Sequence, residues 1–172
     1  MWPRLSRDFR RLRAIKGWGL AHALADALLL DNGFQALIAY RTGATFRRWG
    51  VPLVPAVCRR LSIAFCGIDI LPQAEIGGGC YIPHGVGLVV GGTTVMGEDC
   101  TLLQGVTLGE ARFTETACPR VGDRVTLGAG AKILGGISVG DDAFIGAGAV
   151  VLEDVPHHHI AVGVPAQARP SS

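Results

Sequence analysis

A six-residue period between Ile70 and Val151 constrains the fold of this chain more than any other feature. Aliphatic residues recur at Ile70, Ile76 and Ile82, at Val90, Met96, Leu102 and Leu108, and at Val121, Leu127, Ile133, Val139, Ile145 and Val151. The fourth residue after a lead position is also small or apolar: Cys80, Val86, Thr94, Cys100, Val106, Val125, Ala131, Ile137, Ala143 and Ala149. Neither a helix nor a hairpin sheet repeats every six residues. A solenoid does: short flat strands each turn one aliphatic side chain inward, three hexads close one triangular coil, and coils stack at about 4.8 Å. Thirteen lead positions predict about four coils. Glycine, 25 of 172 residues, often follows the lead aliphatic, as at Gly77, Gly97, Gly109, Gly122, Gly128, Gly140 and Gly146. It is expected there for backbone angles closed to other residues. The period does not fix handedness, and parallel crossovers are ordinarily right-handed.

Before Gly67 the texture is helical, with apolar residues three and four apart and breaks at Gly17, at Asp31-Asn32-Gly33 and at Gly50-Val51-Pro52. Three or four short helices are predicted, with Asp31 capping the one that carries Phe34, Leu37, Ile38 and Tyr40. The organisation read from the sequence is thus a helical region at 1–66, a β-helix at 67–168 and a tail at 169–172. Charge divides the same way: residues 1–69 carry eleven basic against four acidic side chains, and residues 70–172 five against ten. A basic helical half is suited to an anionic membrane face or to phosphorylated ligands, or is simply a solvated helix surface. Five cysteines without paired spacing read as free thiols of a reducing cytoplasm. The apolar run Leu20 to Leu30, broken by His22 and Asp26, is too short to span a bilayer. The chain is expected to be cytoplasmic, with peripheral contact to the inner membrane face as an option, and no nucleic-acid partner is expected.

Two interruptions break the period, and a solenoid places function where its coils are not committed to stacking. An eight-residue step from Ile82 to Val90 contains His84, and a thirteen-residue step from Leu108 to Val121 expels a loop, Glu110 to Cys118. The segments Gly67-Ile68-Asp69-Ile70, His84-Gly85-Val86-Gly87, Gln104-Gly105-Val106-Thr107-Leu108-Gly109, Gly128-Ala129-Gly130-Ala131-Lys132 and Gly163-Val164-Pro165-Ala166 resemble the hexapeptide-repeat acyltransferases, and among them the serine O-acetyltransferase group. The resemblance, over residues 31–168, implies a left-handed β-helix and an acetyl-CoA-dependent O-acetyltransferase. It matches His84 to the catalytic histidine and Asp69 to the aspartate that orients it. An alcohol needs a base near neutrality to attack a thioester, and a carboxylate on the second ring nitrogen fixes the tautomer and stabilises the imidazolium. The bland alternative is a surface histidine beside an unrelated capping Asp. The resemblance further implies acetyl-CoA in a groove between subunits of a homotrimer, with Gly109, Ala129 and Ala147 against the pantetheine arm; small corner residues have a packing role in any case.

Departures from that pattern bear on the acceptor. Pro83 stands where the group carries Asp, Ala117-Cys118 where it carries Arg-His, and Glu110 where it carries a second Gly. Those charged residues hold the ammonium and carboxylate of serine, so a sugar hydroxyl of a surface polysaccharide, or a similar small hydroxyl compound, is expected ahead of serine, with serine O-acetylation for cysteine biosynthesis as the alternative. A silent β-helix scaffold is the reading from another class; retention of Asp69 and His84 opposes it. Cys118 is expected to shape the acceptor site, with a covalent thioester route as the alternative. A complex with cysteine synthase is not expected, since Pro170-Ser171-Ser172 lacks the terminal isoleucine of that group. His22 is expected in a core or interface, His157, His158 and His159 in an exposed polar turn, and no metal ligands are assigned.

Overall fold

In the computed structural model, residues 2–112, 114 and 116–171 are described. Four α-helices come first: α1 Trp2–Lys16, α2 Leu20–Leu29, α3 Asn32–Arg48 and α4 Leu53–Leu61. A π-helical turn, Ser62–Cys66, follows, and Gly67 at φ 67° hands the chain to the first strand. Asp31 caps α3 as expected, its carboxylate accepting from the Phe34 amide at 2.8 Å.

The remainder is the left-handed β-helix. One face stacks β1 Asp69–Ile70, β3 Val89–Val90, β6 Thr107–Gly109, β9 Lys132–Leu134 and β12 Val150–Val151. A second stacks β2 Glu75–Ile76, β4 Val95–Met96, β7 Arg120–Val121 and β10 Ser138–Val139. The third stacks β5 Thr101–Leu102, β8 Thr126–Leu127, β11 Phe144–Ile145 and β13 His159–Gly163. Every pairing within these faces is parallel and in register, until β14 Ala166–Pro170 turns back antiparallel on β13. That hairpin carries strand structure to Pro170, two residues past the boundary expected at 168. All thirteen lead aliphatics are buried, as are nearly all the fourth residues. Ile137 is partly buried, and Val86 stands out at 64% exposure: the eight-residue step shifts the frame, and Leu88 takes the interior place. Cys80 and Cys100 fill interior positions, and burial pushes the Cys100 thiol up to about 11.

The glycines after the lead aliphatics serve a different purpose from the one expected. None has positive φ. A methyl at Gly128 would stand 2.6 Å from the Ala147 amide nitrogen, and one at Gly140 2.5 Å from that of His157, so these positions are glycine because the next coil passes directly above. Left-handed backbone falls two residues further on, at Gly79, Gly130 and Gly148 and also at Asp99, Arg124, Asp142 and His158. The turns are tied by a ladder in which Asp123 accepts from the Glu98 amide at 2.7 Å, Asp141 from the Asp123 amide at 2.8 Å, and His157 Nδ1 from the Asp141 amide at 2.9 Å. His157 therefore does the capping work of an aspartate at the last turn, and His158 lies beside Asp142.

Three of the six basic side chains of α1, Arg4, Arg7 and Arg11, turn to the β-helix. Arg7 pairs with Glu98 at 2.6 Å and Asp99 at 2.8 Å, while Arg11 donates to the carbonyls of Gly79 and Cys100. Beneath them Asp8 and Arg41 form a fully enclosed pair, Arg41 also donating to the Ile76 and Gly77 carbonyls and Asp8 accepting from the Cys80 amide. Among the described residues no helix is long and apolar enough to cross a membrane. His22 is exposed and packs against the Trp18 ring at 4.3 Å, not in a core. Removing one partner of an enclosed pair costs about 3–5 kcal/mol. Asp8→Ala is therefore expected to lower stability by that amount in urea unfolding followed by circular dichroism; a loss below about 0.5 kcal/mol, the scale of an ordinary surface change, would show the pair to be dispensable.

Candidate active site

The three edges of the triangular solenoid carry different residues. On the edge where the chain passes from the third face to the first lie, coil by coil, the His84 turn, Gln104-Gly105, Ala129-Gly130 and Ala147-Gly148. Hydrogen bonds stack them: Gly87 N–H donates to Gly67 O at 2.8 Å, Gly105 to Val86 at 3.0 Å, Gly130 to Gln104 at 2.7 Å and Gly148 to Ala129 at 2.8 Å. Val86, Gln104, Ala129 and Ala147 thus fall in one column, with His84 two residues before Val86 in the lowest turn; His84 and Ala147 are exposed and Ala129 is half-buried.

The His84 turn is set by what lies beneath it. A methyl at Gly85 would collide with Ile68 and Ile82, so the chain drops onto Ile68 there and lifts His84 outward. Leu88 N–H closes the turn on the Gly85 carbonyl at 2.9 Å, and Asp69 N–H donates to the Leu88 carbonyl at 2.9 Å. Asp69 and the His84 turn are consequently on successive coils, as the fifteen-residue spacing implies. Among the described residues His84 makes no hydrogen bond or ion pair, and both Asp69 oxygens are engaged elsewhere: Arg59 Nε meets Oδ1 at 2.6 Å and Arg59 Nη2 meets Oδ2 at 2.7 Å. Arg59 was not singled out in the sequence; its spacing of ten residues from Asp69 across a helix end carries no motif.

The other candidates sit on the next edge, between the first and second faces. Gly109 ends β6 and its carbonyl accepts from Gly135 N–H at 2.9 Å. It borders a groove of about 270 Å³ with Thr107, Glu110, Ala111, Arg112 and Leu134. Cys118 is 6% exposed, its sulfur seated over Gly91, where a methyl would stand 2.5 Å away. Thr93 Oγ1 pins this stretch, accepting from Cys118 N–H at 3.0 Å and donating to the Thr116 carbonyl at 2.6 Å. Ala117 is exposed, next to Gly136 of the following coil. Of the expelled loop, residues 113 and 115 lie outside the described residues. One chain therefore gathers His84, Asp69, Pro83, Ala129 and Ala147 near one edge, and Gly109, Ala117 and Cys118 near another. Among the described residues no group of three or more His, Cys, Asp or Glu side chains is placed to hold a metal. A groove of about 640 Å³ among α1, α2 and α3 is apolar, and His84 does not line it.

Residues 118–153 match the family model for the bacterial transferase hexapeptide (six repeats). The serine acetyltransferase of Helicobacter pylori (strain J99) is 44% identical over 143 residues, covering 83% of this chain and 84% of its own. That of Synechococcus elongatus is 40% identical over 166 residues, covering 96% of this chain and 67% of its own. The chain belongs to the serine acetyltransferase family. It is an acyltransferase of the hexapeptide-repeat type, and a solved serine acetyltransferase in complex with CoA superposes with a TM-score of 0.87 at 35% identity, over 97% of this chain and 68% of that one.

The seating of Cys118 bears on the covalent route. A residue 6% exposed, with its sulfur seated over Gly91, presents little surface to an acyl group. Intact-mass spectrometry after mixing with acetyl-CoA alone is expected to show no acetyl adduct on Cys118, and Cys118→Ser is expected to keep sequential kinetics. A stable adduct that an acceptor then discharges would reinstate the thiol as nucleophile.

Proposed function

We propose that this chain transfers the acetyl group of acetyl-CoA to the hydroxyl of serine, with His84 as general base and Asp69 as its orienting carboxylate. The observation that carries this reading is the stacking of the His84 turn on the Asp69 segment, within a chain 44% identical to a serine acetyltransferase over most of both lengths. His84 takes the proton of the acceptor hydroxyl as that oxygen bonds to the acetyl carbonyl carbon, and returns it to the departing thiolate sulfur. Asp69 supports the imidazolium between those two transfers. Acetyl-CoA supplies the activated acetyl group; the small side chains at half-buried Ala129 and exposed Ala147 leave room for its arm along the edge that carries the His84 turn, and Gly109 borders the groove on the next edge.

We further infer a homotrimer as the working unit. Pro83 and the Ala117-Cys118 pair occupy different edges of one chain, and a second copy set edge to edge brings one set opposite the other. Apolar side chains suited to such a contact stand exposed on α4 and its continuation: Leu53 at 74%, Val57, Leu61 and Phe65 at 79%. Light scattering is expected to give three chains per particle; a fully active monomer at micromolar concentration would overturn this.

Thiol release from acetyl-CoA, measured against serine, homoserine and nucleotide-linked sugars, is expected to give the highest kcat/KM with serine. A sugar preferred over serine would reverse the acceptor assignment. His84→Ala is expected to lower kcat by about 10²- to 10⁴-fold with little change in acetyl-CoA affinity, and Asp69→Asn by less. Near-normal turnover of His84→Ala across the pH range would sink the mechanism.

A further inference from the structure

The carboxylate assigned to orient the base is held by a cation that the reaction as written does not use. Arg59 reaches from α4 and grips Asp69 through two parallel hydrogen bonds, 2.6 and 2.7 Å, one to each oxygen. A single contact would leave the carboxylate free to rotate; a fork-to-fork contact fixes its plane. The grip is built across the junction between the helical region and the solenoid. Ser62 Oγ, in the π-helical turn that continues α4, donates to the Ile68 carbonyl at 2.8 Å, and this anchors the residue just before Asp69. The pair is partly open to water, with side chains 41% and 24% exposed, and exposed pairs contribute little to stability. Its geometry therefore calls for another explanation.

Two facts supply one. A carboxylate offers about four lone-pair sites, so a bidentate arginine leaves outward-facing positions for an imidazole N–H. A cation on the same carboxylate also tempers the charge that an imidazolium would feel. We infer that Arg59 is a positioning residue for the acetyl transfer, fixing the Asp69 carboxylate toward the His84 turn and moderating its pull on the proton that His84 carries. The inference rests on the His84–Asp69 reading above.

Among the described residues, other groups lie near the pair in the fold. On α4, Arg60 is exposed and Cys58 is a thiol kept neutral by burial. The π-helical turn brings Cys66, whose thiol burial also pushes up, and β3 sets uncharged Val89 against Asp69. Above the His84 turn Lys132 bonds the Gly105 carbonyl, and on its N-terminal side Lys16, Asp26 and Asp31 act on Tyr81. Lys16 already pairs with both of those aspartates. Arg59 is the charge in direct contact with Asp69, and the carboxylate in turn raises the Arg59 guanidinium above its ordinary range, by hydrogen bonding first and by charge second.

The test is the pH dependence of kcat/KM for acetyl transfer in the full chain. With Arg59→Gln the carboxylate acts on the imidazole untempered, the imidazolium forms more readily, and the acid limb is expected to move to higher pH by about one unit. Below both limbs that is about a tenfold loss of rate, with the alkaline plateau reduced less. Arg59→Lys, which keeps the charge without the fork, is expected to restore the limb but not the full plateau. In the Asp69→Asn background, Arg59→Gln is expected to leave the limb in place, because the effect runs through that carboxylate. A uniform loss at every pH, or a limb that shifts equally with Asp69 present or absent, would overturn the positioning role. If His84→Ala and Asp69→Asn themselves leave the rate intact, the dyad is at fault; if both lose activity while Arg59→Gln keeps the wild-type profile, only this inference fails.

Discussion

The Asp8–Arg41 pair joins the two halves of the molecule. It lies where α1 and α3 meet the first coil, and its remaining hydrogen-bonding capacity is spent on backbone of that coil: the Ile76 and Gly77 carbonyls and the Cys80 amide. A solenoid stacks each coil on the one before, so the first coil needs a foundation that is not itself a coil. The helices supply it. Tyr40 adds its hydroxyl to the Ala74 carbonyl at 2.6 Å, and Gly33 lets α3 come close enough to touch the Ile82 backbone. Everything above, including the height of the His84 turn, inherits its position from that seat.

The period of six was legible because it is a packing rule, and every lead aliphatic obeys it. The reason for the glycines was not legible, since clearance under a passing coil and a left-handed turn both ask for the same residue; only the coordinates separate Gly128, which needs room, from Gly130, which needs φ 71°. The ladder of turn caps was hidden for a related reason: His157 shares the task of Asp123 and Asp141 but not their residue type. Likewise the charge asymmetry of the two halves suggested an external partner, and its physical meaning is largely internal, with Arg7 and Arg11 committed to the solenoid edge.

Residue types and the matched motifs named His84 and Asp69, but not Arg59, because a helix end and a π-helical turn intervene and no repeat links them. The division of the candidates between two edges was equally invisible in a linear sequence. Successive coils bring positions about eighteen residues apart into columns, so the turn that carries His84 stacks under Ala129 and Ala147 while Cys118, nearer to Ala129 in sequence than His84 is, faces elsewhere. The thirteen-residue step adds a loop but leaves β6 and β9 in register, and so the columns survive the interruption.

The stack meets something that is not a hexad at each end: helices below, and on the third face above the antiparallel β14, which occupies the hydrogen-bonding edge that β13 would otherwise offer to another chain. A parallel solenoid with bare ends is a template for fibre growth. Here the terminators are separate from the repeating interior, and that separation gives the architecture an evolutionary degree of freedom. A whole coil can be duplicated or lost between the caps while the corner columns keep their phase, so the reach of the molecule along its axis is adjustable independently of the chemistry at its base.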